Sequence, residues 1–285
     1  WWLSLSPTRQ PKPGLAPGFT FMGPVAPQCG MGDPFSLAGT GTTYQEHLTP
    51  APLRGRFGQL WQSQLPADAD GHITVLPDGC VDILWRDGAL FVVGPDRVAA
   101  HPALAPGAQV LGARFRPGQA LAALGLPLAG IIGQAVPLAD LKGAWANKAA
   151  ASIGDTAPAQ RLQRMAHCLQ QHMGAAALDT PAQRAHVLFQ ALAAGNATLD
   201  TLAAQLGLSP RSLRRFSQSQ FGYGAKTLER ILRLQRFLRQ SRALPQHSLA
   251  MLAADAGYAD QAHLSREARE LTGMTASELR LEWGQ

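Results

Sequence analysis

The chain has 285 residues, 46% of them hydrophobic and only 15% charged, and its formal net charge is +6. This length favours two domains over a single core, and the apolar fraction is large enough to build one. The three cysteines, Cys29, Cys80 and Cys168, lie far apart, which excludes a disulfide framework and a four-thiolate zinc site. We therefore expect a reducing, cytoplasmic setting.

Residues 1–44 are rich in Pro, Gly, Ser and Thr and have no sustained periodicity. This composition predicts a disordered leader. The chain does not begin with Met, and Met31 is a candidate start, so it is open whether residues 1–30 belong to the native chain.

Between Trp61 and Phe115 the sequence consists of short apolar runs bounded by turn residues. The runs are Ile73 to Leu76, Cys80 to Trp85, Ala89 to Val93 and Val110 to Phe115. The first two end at Asp78-Gly79 and Asp87-Gly88, and Asp-Gly between apolar runs is a strong hairpin signal. Residues 45–154 are predicted to form a small antiparallel sheet or barrel with helices.

The segment from Ala120 to Leu138 is the best candidate for a membrane span, but it is interrupted by Pro127, Pro137 and three glycines. Two short core helices broken at the prolines are the better interpretation. No membrane partner is expected. Helical periodicity continues from Ala159 to Met173, in a predicted helical connector over residues 155–180.

Positive charge is concentrated in one block. Nine Arg and Lys residues and one acidic residue, Glu229, lie between Arg211 and Arg242, so 32 residues carry +8 and the rest of the chain carries −2. Such a block is typical of a surface that binds a polyanion, although a solvated helix face has the same composition.

The C-terminal region contains an internal repeat. The segment from Leu202 to Leu208 matches the segment from Leu252 to Tyr258 at an offset of 50 residues. Each copy predicts a helix, a turn at Gly and a second helix with a capping residue, Ser209 in the first copy and Asp260 in the second. Two helix-turn-helix units are therefore predicted.

A long helix is predicted between the two units, from Ala225 to Ala243, because no Gly or Pro interrupts it and its leucines form one stripe. Arg230, Arg233, Arg236 and Arg239 recur every third residue and form a basic row. A helix of 19 residues is about 28 Å long, and successive major grooves on one face of B-DNA lie about 34 Å apart. The fold class predicted is α+β, with the sheet domain followed by an all-α domain in which this helix joins two helix-turn-helix units.

Residues 181–285 resemble the DNA-binding domain of AraC/XylS-type transcriptional regulators. The segment from Gly257 to Arg266 (GYADQAHLSR), followed by Gly273-Met-Thr275, carries the resemblance. Ala276 departs from it, since the family usually has Pro there. Residues 44–150 resemble a less characterised domain that often precedes this module, through Pro77 to Trp85 and Arg114 to Gly118.

The resemblance implies that the second helix of each unit enters the major groove of double-stranded DNA. The predicted base-reading residues are Arg211, Arg214, Arg215, Gln261, Ala262, His263 and Arg266. The predicted contacts to the DNA backbone are Ser212, Gln218, Lys226, Arg230, Arg233, Ser265 and Thr275. Arginine can hold guanine through two hydrogen bonds, although most protein–DNA hydrogen bonds go to phosphate and sugar.

Three functions remain open at this stage. The first is a regulator of transcription, activator or repressor, whose sheet domain binds a small effector or mediates homodimerisation. The second is a DNA-binding protein whose N-terminal domain only contacts other proteins. The third is a metal- or cysteine-dependent enzyme with an accessory DNA module. Its candidate residues are His72, Cys80, Asp82 and His101, but these lack the compact spacing of a metal site. We predict no catalytic residues, no metal and no cofactor.

Overall fold

The structure, a computed structural model, describes residues 43–68, 73–173 and 179–284. The predicted α+β class is confirmed: an N-terminal antiparallel sheet is followed by a helical C-terminal region. The predicted leader lies outside the described residues, apart from its last two positions, Thr43 and Tyr44, which begin the first strand.

Six antiparallel strands form one open sheet in the order β1-β2-β5-β3-β4-β6. The strands are β1 Thr43–His47, β2 Phe57–Gln64, β3 Asp82–Arg86, β4 Ala89–Val93, β5 Gln109–Phe115 and β6 Ala135–Pro137. The hairpin predicted at Asp87-Gly88 joins β3 to β4, and both of its residues have positive φ, 50° and 76°. A two-residue hairpin turn whose twist matches that of the strands requires positive φ at both of its residues.

The hairpin expected at Asp78-Gly79 was wrong. Val75 makes one isolated bridge to Ala100 and Ile73 to Leu76 form no strand. The physical reason is tertiary packing, since the segment around Gly79 lies against helices of the C-terminal region rather than against a second strand.

Four helices cover one face of the sheet. They are α1 Gln119–Leu124, α2 Leu138–Lys142, α3 Ala144–Gly154 and α4 Arg161–Met173. Trp85 is buried between sheet and helices and donates from Nε1 to the carbonyl oxygen of Ala150, 3.1 Å away. Two short helices were expected between Ala120 and Leu138, and only the first forms. After Pro127 the chain makes a single 3₁₀ turn and then enters β6. No described helix is long and apolar enough to cross a membrane.

Seven helices make up the C-terminal region. They are α5 Thr180–Ala194, α6 Leu199–Gln205, α7 Pro210–Phe221, α8 Ala225–Ala243, α9 Leu249–Asp255, α10 Gln261–Thr272 and α11 Ala276–Trp283. The predicted units are α6–α7 and α9–α10, each turning at a glycine with positive φ, Gly207 and Gly257. As predicted, Ser209 and Asp260 cap the second helix of each unit by accepting from backbone N–H groups.

The two regions share a core. Leu76 and Cys80, from the N-terminal region, are buried in the same apolar cluster as Phe189 and Leu228. Two hydrogen bonds reinforce this contact: Gln235 Nε2 donates to the carbonyl oxygen of Pro77 at 2.8 Å, and the Ala99 N–H donates to that of Leu271 at 2.7 Å. The segment from Leu76 to Cys80, hereafter the docking loop, therefore belongs structurally to both regions.

Candidate nucleic-acid interface and ligand cavity

Helix α7 presents a row of free positive charges. Its buried side rests on Leu213, with Phe216 half-buried, and this spacing turns the intervening positions outward. Arg211, Arg214 and Arg215 are all exposed, and none has a hydrogen-bond or ion-pair partner among the described residues. Three uncompensated guanidinium groups on one helix face form a surface suited to phosphate and to guanine.

Helix α10 presents a more balanced surface. Gln261, Ala262 and Arg266 are exposed, whereas His263 is half-buried. Its Nδ1 accepts from the Ala259 N–H at 3.3 Å, and its ring packs edge-on against Tyr258. The imidazole is thus held by its own helix-turn-helix unit, which leaves the exposed α10 residues better placed to reach a base.

The basic row of α8 has partners inside the protein. Arg236 donates to the carbonyl oxygens of Leu192, Ala193 and Ala256, at 2.6, 3.2 and 2.6 Å, which lie at the ends of α5 and α9. Because carbonyl groups at a helix C-terminus lack partners within the helix, a guanidinium satisfies them and complements the helix dipole. Arg239 also donates to Ala193.

The two backbone-contact candidates on this helix are also engaged. Arg230 forms an ion pair with Glu267 at 2.7 Å and another with Glu270. Arg233 lies over the ring of Tyr258, 5.3 Å from its centroid. The basic row of α8 is typical of a surface that binds a polyanion. In the structure its arginines mainly contact other helices and hold the helical region together.

The other backbone-contact candidates divide in the same way. Ser212, Gln218 and Lys226 are exposed. The Ser265 hydroxyl donates to the carbonyl oxygen of Gln261 at 2.9 Å, and Thr275 caps α11 in a reciprocal pair of hydrogen bonds with Glu278. The exposed polar and basic groups therefore cluster on α7 and on the first turn of α8, although the Ser212 hydroxyl already accepts from that of Ser209 at 3.0 Å.

A cavity of about 310 Å³ lies against the sheet face opposite α1–α4. Alternation along β2 places Trp61 and Ser63 on this face, and their partners on β5 are Gly112 and Val110. Gly112 is required there, because a Cβ would lie 2.0 Å from the Trp61 ring. The cavity is at the small end of the range for ligand sites.

A buried charge cluster forms one end of the cavity. Arg114 donates to both carboxylate oxygens of Asp82 at 3.1 Å and pairs with Asp78 at 3.0 Å. Burial lowers the pKa of Arg114, but Asp82 and Asp78 more than offset this, so its pKa lies well above the ordinary value. Burial, and then the charges of Asp78 and Asp82, raise the pKa of the nearby Asp96 carboxyl to about 6.

The residues considered for an enzyme are dispersed or already engaged. His72 lies outside the described residues, Asp82 is paired with Arg114, and His101 Nδ1 is hydrogen-bonded to Thr74 at 3.2 Å. Cys80 is buried beside the C-terminal helices. In the described ranges no group of three His, Cys, Asp or Glu side chains could hold a metal ion.

Several cavity residues were missed at the level of sequence. Asp96 and Ser63 carry no motif, and their importance comes from strand pairing and loop placement. Arg114 belonged to a segment that resembled a known domain, but nothing in its sequence neighbourhood pointed to Asp82, which lies 32 residues earlier.

Both parts of the chain match known domains. Residues 202–282 match a helix-turn-helix domain, and residues 45–137 match a domain of unknown function, DUF6597. No curated protein matches the sequence.

Solved structures give distant likenesses. The C-terminal domain of AraT from Geobacillus stearothermophilus is 20% identical, with a TM-score of 0.33 over 37% of this chain and 88% of that one. ToxT from Vibrio cholerae is 9% identical, with a TM-score of 0.39 over 74% of this chain and 88% of that one. The assignment rests on the domain matches: the chain carries a C-terminal helix-turn-helix domain, preceded by a DUF6597 domain.

Proposed function

We propose that this protein is a sequence-specific, DNA-binding regulator of transcription whose N-terminal domain binds a small effector. The observation that carries the proposal is the exposed face of α7, where Arg211, Arg214 and Arg215 have no partner among the described residues. Buried or paired arginines stabilise a fold, whereas free ones on the second helix of a helix-turn-helix unit suit the major groove.

We assign base reading to the exposed residues of both reading helices. Arg211, Arg214 and Arg215 on α7, and Gln261, Ala262 and Arg266 on α10, are proposed to reach base edges, with His263 beside them. Ser212, Gln218 and Lys226 are proposed to contact phosphate. Arg230, Arg233, Ser265 and Thr275 are weaker candidates for phosphate contact, since each is only half-exposed and already has a partner within the domain.

The length of α8 supports simultaneous binding by both units. Its 19 residues correspond to about 28 Å, close to the 34 Å between successive major grooves on one face of the duplex. Its fixed attachment to α5, α9 and α10 through arginines limits how far the two reading helices can move apart.

The docking loop supports a response to an effector. Leu76 and Cys80 line the cavity and at the same time belong to the apolar core of the helical region. A ligand that displaces this loop would therefore act on the packing of α5 and α8, which is the differential contact that allosteric coupling requires. The predicted domain boundaries, homodimerisation and cytoplasmic location stay predictions.

A gel-shift titration tests DNA binding directly. Duplexes taken from upstream of the gene for this protein and its neighbours would be titrated with the full chain at several salt concentrations. We expect one or more of these duplexes to bind more tightly than random DNA of equal length. The triple variant R211A/R214A/R215A should lose this preference, whereas R184A, which removes an exposed arginine of α5, should keep it. Equal affinity of the unsubstituted chain for upstream and random duplexes would contradict a sequence-specific regulator.

A further inference from the structure

We propose that the cavity of the sheet domain binds a small organic cation: a primary amine on an apolar body, with a hydrogen-bonding group at its other end. The inference rests on the proposed effector function and specifies the chemistry of the effector. It follows from the charges, the walls and the length of the cavity.

Negative charge is in excess at one end of the cavity. The guanidinium of Arg114 pairs with both Asp82 and Asp78. These two carboxylates therefore already neutralise its positive charge. Asp96 adds a third carboxylate, and it has no hydrogen-bond or ion-pair partner among the described residues. Asp96 is half-buried, and a carboxylate that is partly desolvated without a partner is costly, so a ligand ammonium would both neutralise it and satisfy its oxygens.

The middle of the cavity is apolar. Trp61, which is 1% exposed, and Leu84 face each other across Gly112 of β5, and Leu104 and Val110 complete the wall. A hydrophobic or aromatic body fits here, because apolar walls with a few placed polar groups are the usual form of a small-molecule site.

The far end of the cavity offers a second polar contact. Ser63 is 4% exposed and lies on the same strand face as Trp61, and its Oγ has no hydrogen-bond partner among the described residues. Ser63 is paired with Val110, four residues along β5 from Arg114, which corresponds to about 13 Å. A small molecule that extends from Asp96 towards Ser63 would give both unpartnered groups a partner.

An anionic effector is disfavoured by the same geometry. Its charge would meet Asp78, Asp82 and Asp96 while Arg114 is already bidentate to Asp82. Arg86 also lines the cavity, but its guanidinium lies over the Phe91 ring, 5.2 Å from the centroid. By strand register it lies near Val110, at the end remote from Arg114, so it does not neutralise Asp96.

The proposal is tested by calorimetric titration of the full chain with matched probes, in the absence of DNA. Phenethylamine and tyramine carry the ammonium, hydrocinnamate replaces it by a carboxylate, and phenethyl alcohol replaces it by a neutral group. We expect both amines to bind and the carboxylate to bind at least about tenfold more weakly, the equivalent of one charge-assisted hydrogen bond. Tyramine should bind more tightly than phenethylamine, because its hydroxyl can reach towards Ser63.

Variants locate the contact. D96N should weaken amine binding by about tenfold, and S63A should remove the advantage of tyramine. D87N is the matched control, since it removes the same charge at the exposed β3–β4 turn. Tighter binding of hydrocinnamate than of either amine, or amine binding unchanged in D96N, would overturn the proposal. Because no DNA is present, these outcomes are distinct from those of the gel-shift titration: a chain that prefers its upstream duplexes but not amines would contradict this inference alone.

Discussion

The side chain of Arg215 projects from α7 and has no partner among the residues that the structure describes, whereas Arg236 on α8 donates to three carbonyl oxygens. The residue type is the same, and the difference lies in what surrounds it. For α7 the buried Leu213 was enough to predict which positions face outward. For α8 the decisive partners lie at the ends of α5 and α9, 44 and 20 positions away, which spacing within the helix does not reveal.

At Arg215, replacement by Ala should reduce binding to the preferred duplex by about 1–3 kcal/mol and relax specificity at one base pair. The measurement is a gel-shift series in which each position of the preferred duplex is changed in turn. R184A should leave that profile unaltered. If R215A weakens binding to preferred and random DNA equally, Arg215 contacts phosphate and does not read a base.

At Asp96, the raised pKa has a consequence for stability. The pKa of about 6 in the folded protein lies above the ordinary 3.8, so ionising Asp96 costs folded-state stability as the pH rises through 6, and the cost is absent below 3.8. D96N should therefore unfold in urea at a higher free energy than the unsubstituted chain at neutral pH, by about 1–2 kcal/mol after allowance for screening. The difference should vanish at acidic pH, and D87N should show none. A lower stability of D96N at neutral pH would mean that Asp96 is favourably paired.

For helix α8 the sequence predicted the bounds but not the role of the charged face. The prediction from Ala225 to Ala243 is confirmed, since an uninterrupted apolar stripe defines a helix without reference to its neighbours. The sequence left open whether its basic row binds a polyanion or has a structural role. In the structure the arginines of this row mostly cap helices and form ion pairs, and phosphate contact by Arg230 and Arg233 stays a prediction. The docking loop shows the converse: local turn chemistry at Asp78-Gly79 predicted a hairpin, and contacts with Phe189 and Leu228 decided otherwise.

The capping role of Arg236 can be measured as stability. R236M keeps an unbranched apolar stem but removes the donors, so three carbonyl oxygens lose a charged partner. We expect a loss of about 2–3 kcal/mol in the free energy of unfolding. The control K226M removes an exposed charge from the first turn of the same helix and should change stability by less than about 0.5 kcal/mol.

The salt dependence of DNA binding should change in K226M and not in R236M, the opposite of what is expected for stability. K226M should lower the slope of log affinity against log salt by about one unit, whereas R236M should leave that slope unchanged. A reduced slope for R236M would place Arg236 against phosphate.

At the scale of the whole molecule, the two regions are joined by the docking loop. Gly79 has φ of +80°, and a Cβ there would lie 3.0 Å from Leu228 Cδ1 and 3.1 Å from Phe189 Cε2. The division into a sheet region and a helical region could be predicted from the change of hydrophobic period along the chain. Their shared core could not, because no periodic pattern marks the residues of the first region that supply it, namely the docking loop with Ala99 and Ile132 packed beside it.

G79A tests how strongly the loop ties the regions together. Gly88 has a similar φ of +76° but nothing within 4 Å of a built Cβ, so G88A carries the backbone cost alone. We expect G79A to lower the free energy of unfolding by about 1–2 kcal/mol more than G88A does, the excess coming from displaced apolar contacts. Equal losses in the two variants would show that the loop yields without disturbing α5 and α8.

The shared core also bears on how the helical region should be prepared for study. A fragment cut at residue 181 would lack Leu76 and Cys80 and would leave an uncovered apolar hollow beside Phe189 and Leu228. Such a fragment would self-associate through that hollow. Weak DNA binding by the fragment would then reflect the loss of Leu76 and Cys80 and not the loss of a reading helix.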